Sequence, residues 1–197
     1  MADKNYRSST GVTGFHYGVV GDGTTAESVE RIKFLQNITV EMASEFVKAY
    51  GDNVTAEIAT SNGDITVSGA FHKLPIEDKQ VLLGMETVDG ISAIGSTDNP
   101  PYVAVIFEKT HEDGSVEYVG LPKGKFSRPN IEGQTKEDSV EFSSDEIEAE
   151  FMDREVEGFT DPKSVLTAMD EKGETTNRDA IYQKIFGQPH PDAEETP

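Results

Sequence analysis

Residues 100–126 read Pro100-Pro-Tyr-Val-Ala-Val-Ile-Phe-Glu-Lys109, a turn at His111-Glu-Asp-Gly114, then Ser115-Val-Glu-Tyr-Val-Gly-Leu-Pro-Lys-Gly-Lys-Phe126. Tyr102–Phe107 is apolar at every position, where a half-buried strand would alternate. Such a run predicts a central strand covered on both faces. Val116–Leu121 returns antiparallel after the turn, and Lys123–Phe126 continues it past a kink at Pro122 and Gly124. Two more β-signals follow. Val140 and Phe142 alternate with Ser139 and Glu141, and Ile147, Ala149 and Phe151 alternate with Glu146, Glu148 and Glu150, which is the two-residue period of a strand. Strand signals in a row, each bounded by turn residues, predict a mainly β chain.

Upstream, residues 1–14 are polar and rich in Gly, Ser and Thr, and predict a flexible arm. Phe15–Val20 is a strand candidate ended by Gly21-Asp22-Gly23. Ile38, Val40 and Met42 alternate with Thr39 and Glu41. Phe46–Tyr50 is compatible with helix or strand, and Gly51-Asp52-Asn53 ends it. Val54–Thr60 and Ile65–Lys73 both alternate, and Ser61-Asn62-Gly63-Asp64 between them predicts a hairpin turn. Pro75 to Gly84 opens with Pro, carries acids in its first turn and ends at Gly, so a short helix is expected at about 75–83, with Ile76, Gln80 and Leu83 on one face. Gly90–Ser96 predicts a short strand. Downstream, Val165–Met169 is ambiguous, with cap-like residues on either side. A C-terminal helix is expected at about 177–186, capped by Thr176 or Asn177 and closed by Gly187. Residues 188–197 read as a disordered acidic tail. Residues 15–187 are left as one domain.

The composition narrows the function. The chain has 197 residues, no cysteine and a formal net charge of −20. Disulfides and thiol chemistry are excluded. The N-terminus lacks the apolar stretch of a signal peptide, and no run is long and apolar enough to span a membrane. The acidic balance is wrong for neutralising a phosphate backbone or an anionic membrane. It fits solubility, or a surface that keeps nucleic acid from sticking.

Catalytic patterns are hard to find. Glu146, Glu148 and Glu150 would project from one strand face about 6–7 Å apart, a spacing that overlaps glycosidase carboxylate pairs. Three acids alternating with Ile, Ala and Phe also describe any solvated strand face. Asp170–Asp179 is acidic, but Lys172 occupies the third position of what would be a calcium loop. His16, His72, His111 and His190 have no metal-ligand spacing. Lys123, Lys125 and Arg128 form a local basic cluster on a very acidic chain, a candidate for docking on an acidic neighbour. These readings leave a catalytic site, a metal site and a cofactor site all unassigned.

One resemblance organises the rest. Pro100–Ala104, Phe107, Tyr118-Val119, Lys123–Ser127 with Pro129, Thr135–Phe142 and Ile147–Phe151 together resemble the major tail proteins (tail tube proteins) of long, non-contractile-tailed phages of Gram-positive bacteria. Leu74-Pro75 leading to Leu83-Gly84 fits the family's short helix. Val165–Glu174 and Ala180–Phe186 fit its last strand and closing helix, which makes Val165–Met169 a strand. Leu121-Pro122 departs from the pattern, and residues 1–50 match loosely. The resemblance implies a tail-tube β-sandwich with a flanking helix, no enzymatic activity and no cofactor. It implies a virion protein, made in the host cytoplasm, whose hexameric rings stack into a siphophage tail tube that carries DNA during genome ejection. The implied partners are further copies of the chain and other tail proteins: tape measure, tail terminator and distal tail. Glu57, Glu141, Glu146, Glu148 and Glu150 are then candidates for an acidic lumen wall, and Lys123, Lys125 and Arg128 for a subunit interface. Residues 43–53 are a candidate loop that reaches the next ring and orders on assembly. The alternative is a monomeric β-sandwich module for binding or adhesion.

Overall fold

The computed structural model describes residues 8–21, 23–51, 54–130 and 144–192. It is mainly β, with two helices in a sandwich-like arrangement. The strands are β1 (Ser9–Val19), β2 (Glu30–Ile32), β3 (Leu35–Gly51), β4 (Val54–Phe71), β5 (Glu86–Val88), β6 (Ile91–Ala93), β7 (Val103–His111), β8 (Val116–Phe126), β9 (Asp145–Phe151) and β10 (Leu166–Asp170). The helices are α1 (Ile76–Leu83) and α2 (Thr176–Phe186). One antiparallel sheet runs β2-β1-β7-β8-β9-β4-β3, with β10 also on β8, while β5 and β6 form a separate hairpin.

The all-apolar run is the centre of this sheet, and both of its faces are covered. Val103, Val105 and Phe107 enter a core with Phe15, Tyr17, Val67, Phe71, Leu82 and Phe151. Ala104 and Ile106, on the other face, enter a second core with Tyr118, Leu166 and Ile181, Tyr182, Ile185 and Phe186 of α2. The edge of β8 opposite β7 is shared. Val116–Gly120 pairs with β10, and Gly124–Phe126 pairs with β9. The expected kink falls between these halves: Val103 pairs with Gly124 but Val105 with Leu121, a bulge that includes Pro122. There the sheet turns, and β9-β4-β3 folds over the first core, bringing Phe71 edge-on to Phe15 with ring centroids 5.1 Å apart.

Helix α2 is held at both ends by side chains far away in sequence. Asp170, buried at the end of β10, accepts from the backbone N–H groups of Asn177 and Arg178 at 3.0 and 2.8 Å. This replaces the expected cap by Thr176 or Asn177, and it explains the acidic Asp170 without a calcium ion. At the other end buried Arg154 donates to the Lys184 and Ile185 carbonyls at 2.9 Å and to Pro122 of β8 at 2.8 Å. A cation there also complements the helix dipole. The helix can lie this close because Gly120 has no side chain: a Cβ there would stand 2.7 Å from Ile185. Helix α1 is tied by Tyr17, which donates to Asp78 at 2.6 Å, and by Asp145, which accepts from Leu74 N–H and from Lys79, both at 2.8 Å.

Four expectations are corrected. The hairpin at residues 61–64 does not exist. β4 runs unbroken through them and pairs with β3, because Asn62-Gly63-Asp64 forms a bulge opposite Met42–Ser44 instead of a turn. The pairing of β3 with β4 continues as far as Gly51 and Val54. The arm at 1–14 is already strand from Ser9, paired with β7; residues 1–7 lie outside the described residues. On α1 the buried side chains are Leu82 and Leu83, while Ile76 is exposed. Finally, Gln188 and His190 of the expected tail pack back on the fold, Gln188 by donating to the Ala26 carbonyl. His190 is 6% exposed, its ring centroid 4.5 Å from Tyr182 and 5.6 Å from His16. The expected strand at Val140–Phe142 lies outside the described residues, as do residues 193–197.

Two outcomes follow from these contacts. Arg154→Met would leave two buried carbonyls and one part-buried carbonyl without their donor, at about 1–3 kcal/mol for each group that finds no other partner. Relaxation recovers part of this, so urea unfolding should show a loss of about 2–4 kcal/mol. An unchanged midpoint would show that the clamp is not structural. The second concerns pH. Burial lowers the His190 pKa to about 4, helped by nearby Arg178 and His16, and burial also lowers that of His16. The unfolded chain takes up these protons near pH 6.5 and the folded chain later, so stability falls as pH drops from 6.5 towards 4. Glu108, raised by burial, opposes this, since it is protonated earlier when folded. The melting temperature should fall across this window, and His190→Gln should flatten the fall; an identical slope would exclude His190 as a source.

Candidate assembly surfaces

Strand alternation sorts the chain into covered and uncovered faces. On β9, Ile147, Ala149 and Phe151 point into the core and Glu146, Glu148 and Glu150 point out. Their cross-strand neighbours on β4 are Ala70, Ser68 and Thr66, and beyond these on β3 lie Asn37, Thr39 and Glu41. The outer face of β9-β4-β3 is therefore polar and acidic. By alternation along β3, Glu45 and the cross-strand pair Ala49–Glu57 continue this side outward. The structure thus brings Glu57, Glu146, Glu148 and Glu150 to one side of the sheet. Glu141 lies outside the described residues.

The second surface is what residues 42–64 become. β9 pairs with β4 only as far as Ile65. Beyond that point β3 and β4 continue as a two-stranded ribbon from Ser44–Asn62 to Gly51–Val54, about 25–30 Å at about 3.3 Å per residue. The expected loop at 43–53 is thus strand where it is described. On β3 the core-facing positions Ile38, Val40 and Met42 lead on to Phe46, Lys48 and Tyr50, with Ile58 beside Lys48. Among the described residues nothing lies beneath them: Phe46 is 70% exposed and Tyr50 71%, with Met42 and Ile58 similarly open. The ribbon carries the apolar pattern of a core face into solvent. Alternating Phe46, Lys48 and Tyr50 was the available signal, obscured by Ser44 at the bulge.

The third surface surrounds α1. Gln80 of α1 donates to Ser92 of β6 at 2.6 Å, which docks the β5–β6 hairpin on the helix. Val88 and Ile91 pair across the Asp89-Gly90 turn and are both exposed, Ile91 at 73%. Ile76, Val81 and Ile94 are also exposed. The basic cluster borders it. Arg128 donates to the Gly95 carbonyl, and Lys125 donates to Asn99 at 2.8 Å. Lys123 and Lys125 both sit over the Tyr102 ring, at 4.3 and 4.4 Å. Arg128 and Lys125 thus both reach the loop between Gly95 and Asn99. Sequence reasoning missed the exposed apolar residues of α1 and β5–β6, which resemble core residues on any hydropathy scale.

A β-rich subunit with apolar projections and an acidic sheet face is built for contact with other copies and other proteins. A family model described as phage tail tube protein matches residues 21–189. The chain belongs to the phage tail tube protein family. It is a structural protein of the virion tail, not an enzyme; members assemble with themselves into a tube and contact other tail proteins. Membership replaces the alternative of a monomeric adhesion module. No curated protein matches the chain. Among the described residues, no helix is long and apolar enough to cross a membrane.

Proposed function

We propose that the protein is the major subunit of a siphophage tail tube, assembling as hexameric rings that stack into the conduit for DNA. The single observation that carries the stacking is the β3–β4 ribbon. A two-stranded ribbon alone is marginally stable in water, and this one exposes Met42, Phe46, Tyr50 and Ile58. A neighbouring ring would cover that face. Ring closure would shield the edges of β3 and β10 that are unpaired among the described residues and that otherwise invite uncontrolled strand pairing. Lys123, Lys125 and Arg128 are proposed to face an acidic neighbour across a subunit interface. Tape measure, tail terminator and distal tail proteins are the expected partners at the ends of the tube. The match of residues 100–151 to major tail proteins of Gram-positive phages suggests a Gram-positive host, with the subunit soluble in its cytoplasm before assembly.

The acidic face of β9 is proposed as lumen wall. Like charge keeps a polyanion from adhering, and at physiological salt the repulsion acts over about 8 Å. Glu57 and Glu141 would extend that wall. Electron microscopy of concentrated protein should show rings or tubes with a central hole, and a strictly monomeric species at every concentration and salt would contradict the proposal. Phage carrying Glu146→Lys, Glu148→Lys and Glu150→Lys should build normal tails and eject DNA more slowly. Unchanged ejection would show that this face does not meet the DNA.

A further inference from the structure

The segment that follows α2 is tied to the fold by two side chains. Gln188 donates to the Ala26 carbonyl, and the buried His190 ring packs against Tyr182 and His16, with centroids 4.5 and 5.6 Å away. Pro189 and Pro191 have no N–H, so the backbone here offers few donors of its own. We infer that His190 is an acid-released latch: while neutral its ring seats beside Tyr182 and His16, and on gaining a proton it leaves and takes residues 188–192 off the fold. The hydrogen bonds specify the neutral ring. The Asp192 N–H donates to His190 Nδ1 at 2.9 Å, so Nδ1 presents its lone pair and the ring proton sits on Nε2. A proton arriving at Nδ1 would set two donors against each other and break that bond. His16 is engaged as well, its Nδ1 lying 2.9 Å from the Gly14 carbonyl oxygen and 2.7 Å from the Tyr182 hydroxyl.

The groups around the two rings do not favour a charge. Arg31 of β2 is the cross-strand neighbour of His16, and Arg178 of α2 acts on His190. Asp179 is bonded by Arg178 at 2.9 Å. Asp192 holds a carboxylate 3.9 Å from His190 Nδ1, but that carboxylate is 80% exposed, and water weakens the attraction. Glu108 of β7 is the remaining acid, and burial raises its pKa, so acid neutralises it while the imidazoles charge. Two charged imidazoles beside two arginines would repel. Burial, with Arg178 and His16, accordingly holds the seated His190 at a pKa of about 4, whereas a released ring returns to the ordinary 6.5. Linkage then shifts the balance from seated to released by about 30-fold between pH 7.5 and pH 5. This release is local: α2 keeps its ties to Asp170 and Arg154, and β7 keeps both cores.

Hydrogen exchange followed by nuclear magnetic resonance on the unassembled full chain tests this. Rates at pH 7.5 and pH 5 are each divided by those of a free peptide of residues 186–192 at the same pH. Protection of the Asp192 amide and of the Gln188 side-chain amide should fall together by about 30-fold, or to the free-peptide rate, while the β7 amides keep theirs. Unchanged protection at both groups would overturn the inference. Loss at Asp192 alone would mean that the ring charges in place, and would overturn it too. Equal loss in β7 would show general unfolding instead of a latch. His190→Phe keeps an aromatic ring that cannot take a proton, so its Gln188 protection should be the same at both pH values. A pH response in that variant equal to that of the unmodified protein would place the trigger elsewhere and overturn the inference.

Discussion

The fold depends on one strand that must be dry on both sides. β7 alternates its apolar residues between two cores, Val103, Val105 and Phe107 to one and Ala104 and Ile106 to the other. At about 1.5–3 kcal/mol for each large side chain buried, neither face can be left in water. The chain answers with two kinds of cover. The sheet turns at the Pro122 bulge, so that β9-β4-β3 closes one face, and α2 closes the other. Because a helix laid on a sheet leaves its end groups without partners, the second cover needs Asp170 and Arg154 at the helix ends. Gly120 supplies the close approach.

What the two cores do not absorb lies open at the surface. β3 and β4 are far longer than the β9 strand that supports them, so their apolar pattern outruns the core it belongs to. The β5–β6 hairpin leaves Val88 and Ile91 open in the same way. A monomer has no use for exposed apolar faces of this kind, which mark interaction sites. A tube subunit does, and the family match places the chain among proteins that assemble into tubes. The acidic side of β9-β4-β3 is a different kind of surplus: among the described residues its Glu146, Glu148 and Glu150 have no ion-pair partner, and such charge is suited to repelling a polyanion.

Much of this was legible in the residues. Tyr102–Phe107 announced a doubly covered strand by its lack of alternation, and Ile147, Ala149 and Phe151 announced a half-covered one by having it. Helix α2 was readable from Ile181, Tyr182, Ile185, Phe186 and Gly187. The failures share a cause: the same local chemistry serves two geometries. Asn62-Gly63 is as good a bulge as a turn, and the choice was made by pairing with β3, a contact between distant residues. Asp170 and Arg154 looked like ordinary charges, because their partners lie in elements the local sequence does not name. His16 and His190 are 174 positions apart, and only the fold stacks them. Exposed Phe46 and Ile91 read as core because hydropathy records what a residue prefers and not whether its partner is on the same chain.

Hydrogen exchange of amides, compared between monomer and assembled tube, tests the central claim most directly. The account holds that the ribbon at 44–51 and 54–62 is covered by a neighbour, while β7 and β8 are already protected in the monomer. Ribbon amides should exchange quickly in the monomer and become strongly protected in the tube, with β7 and β8 unchanged. Ribbon amides that exchange equally fast in both states would contradict it.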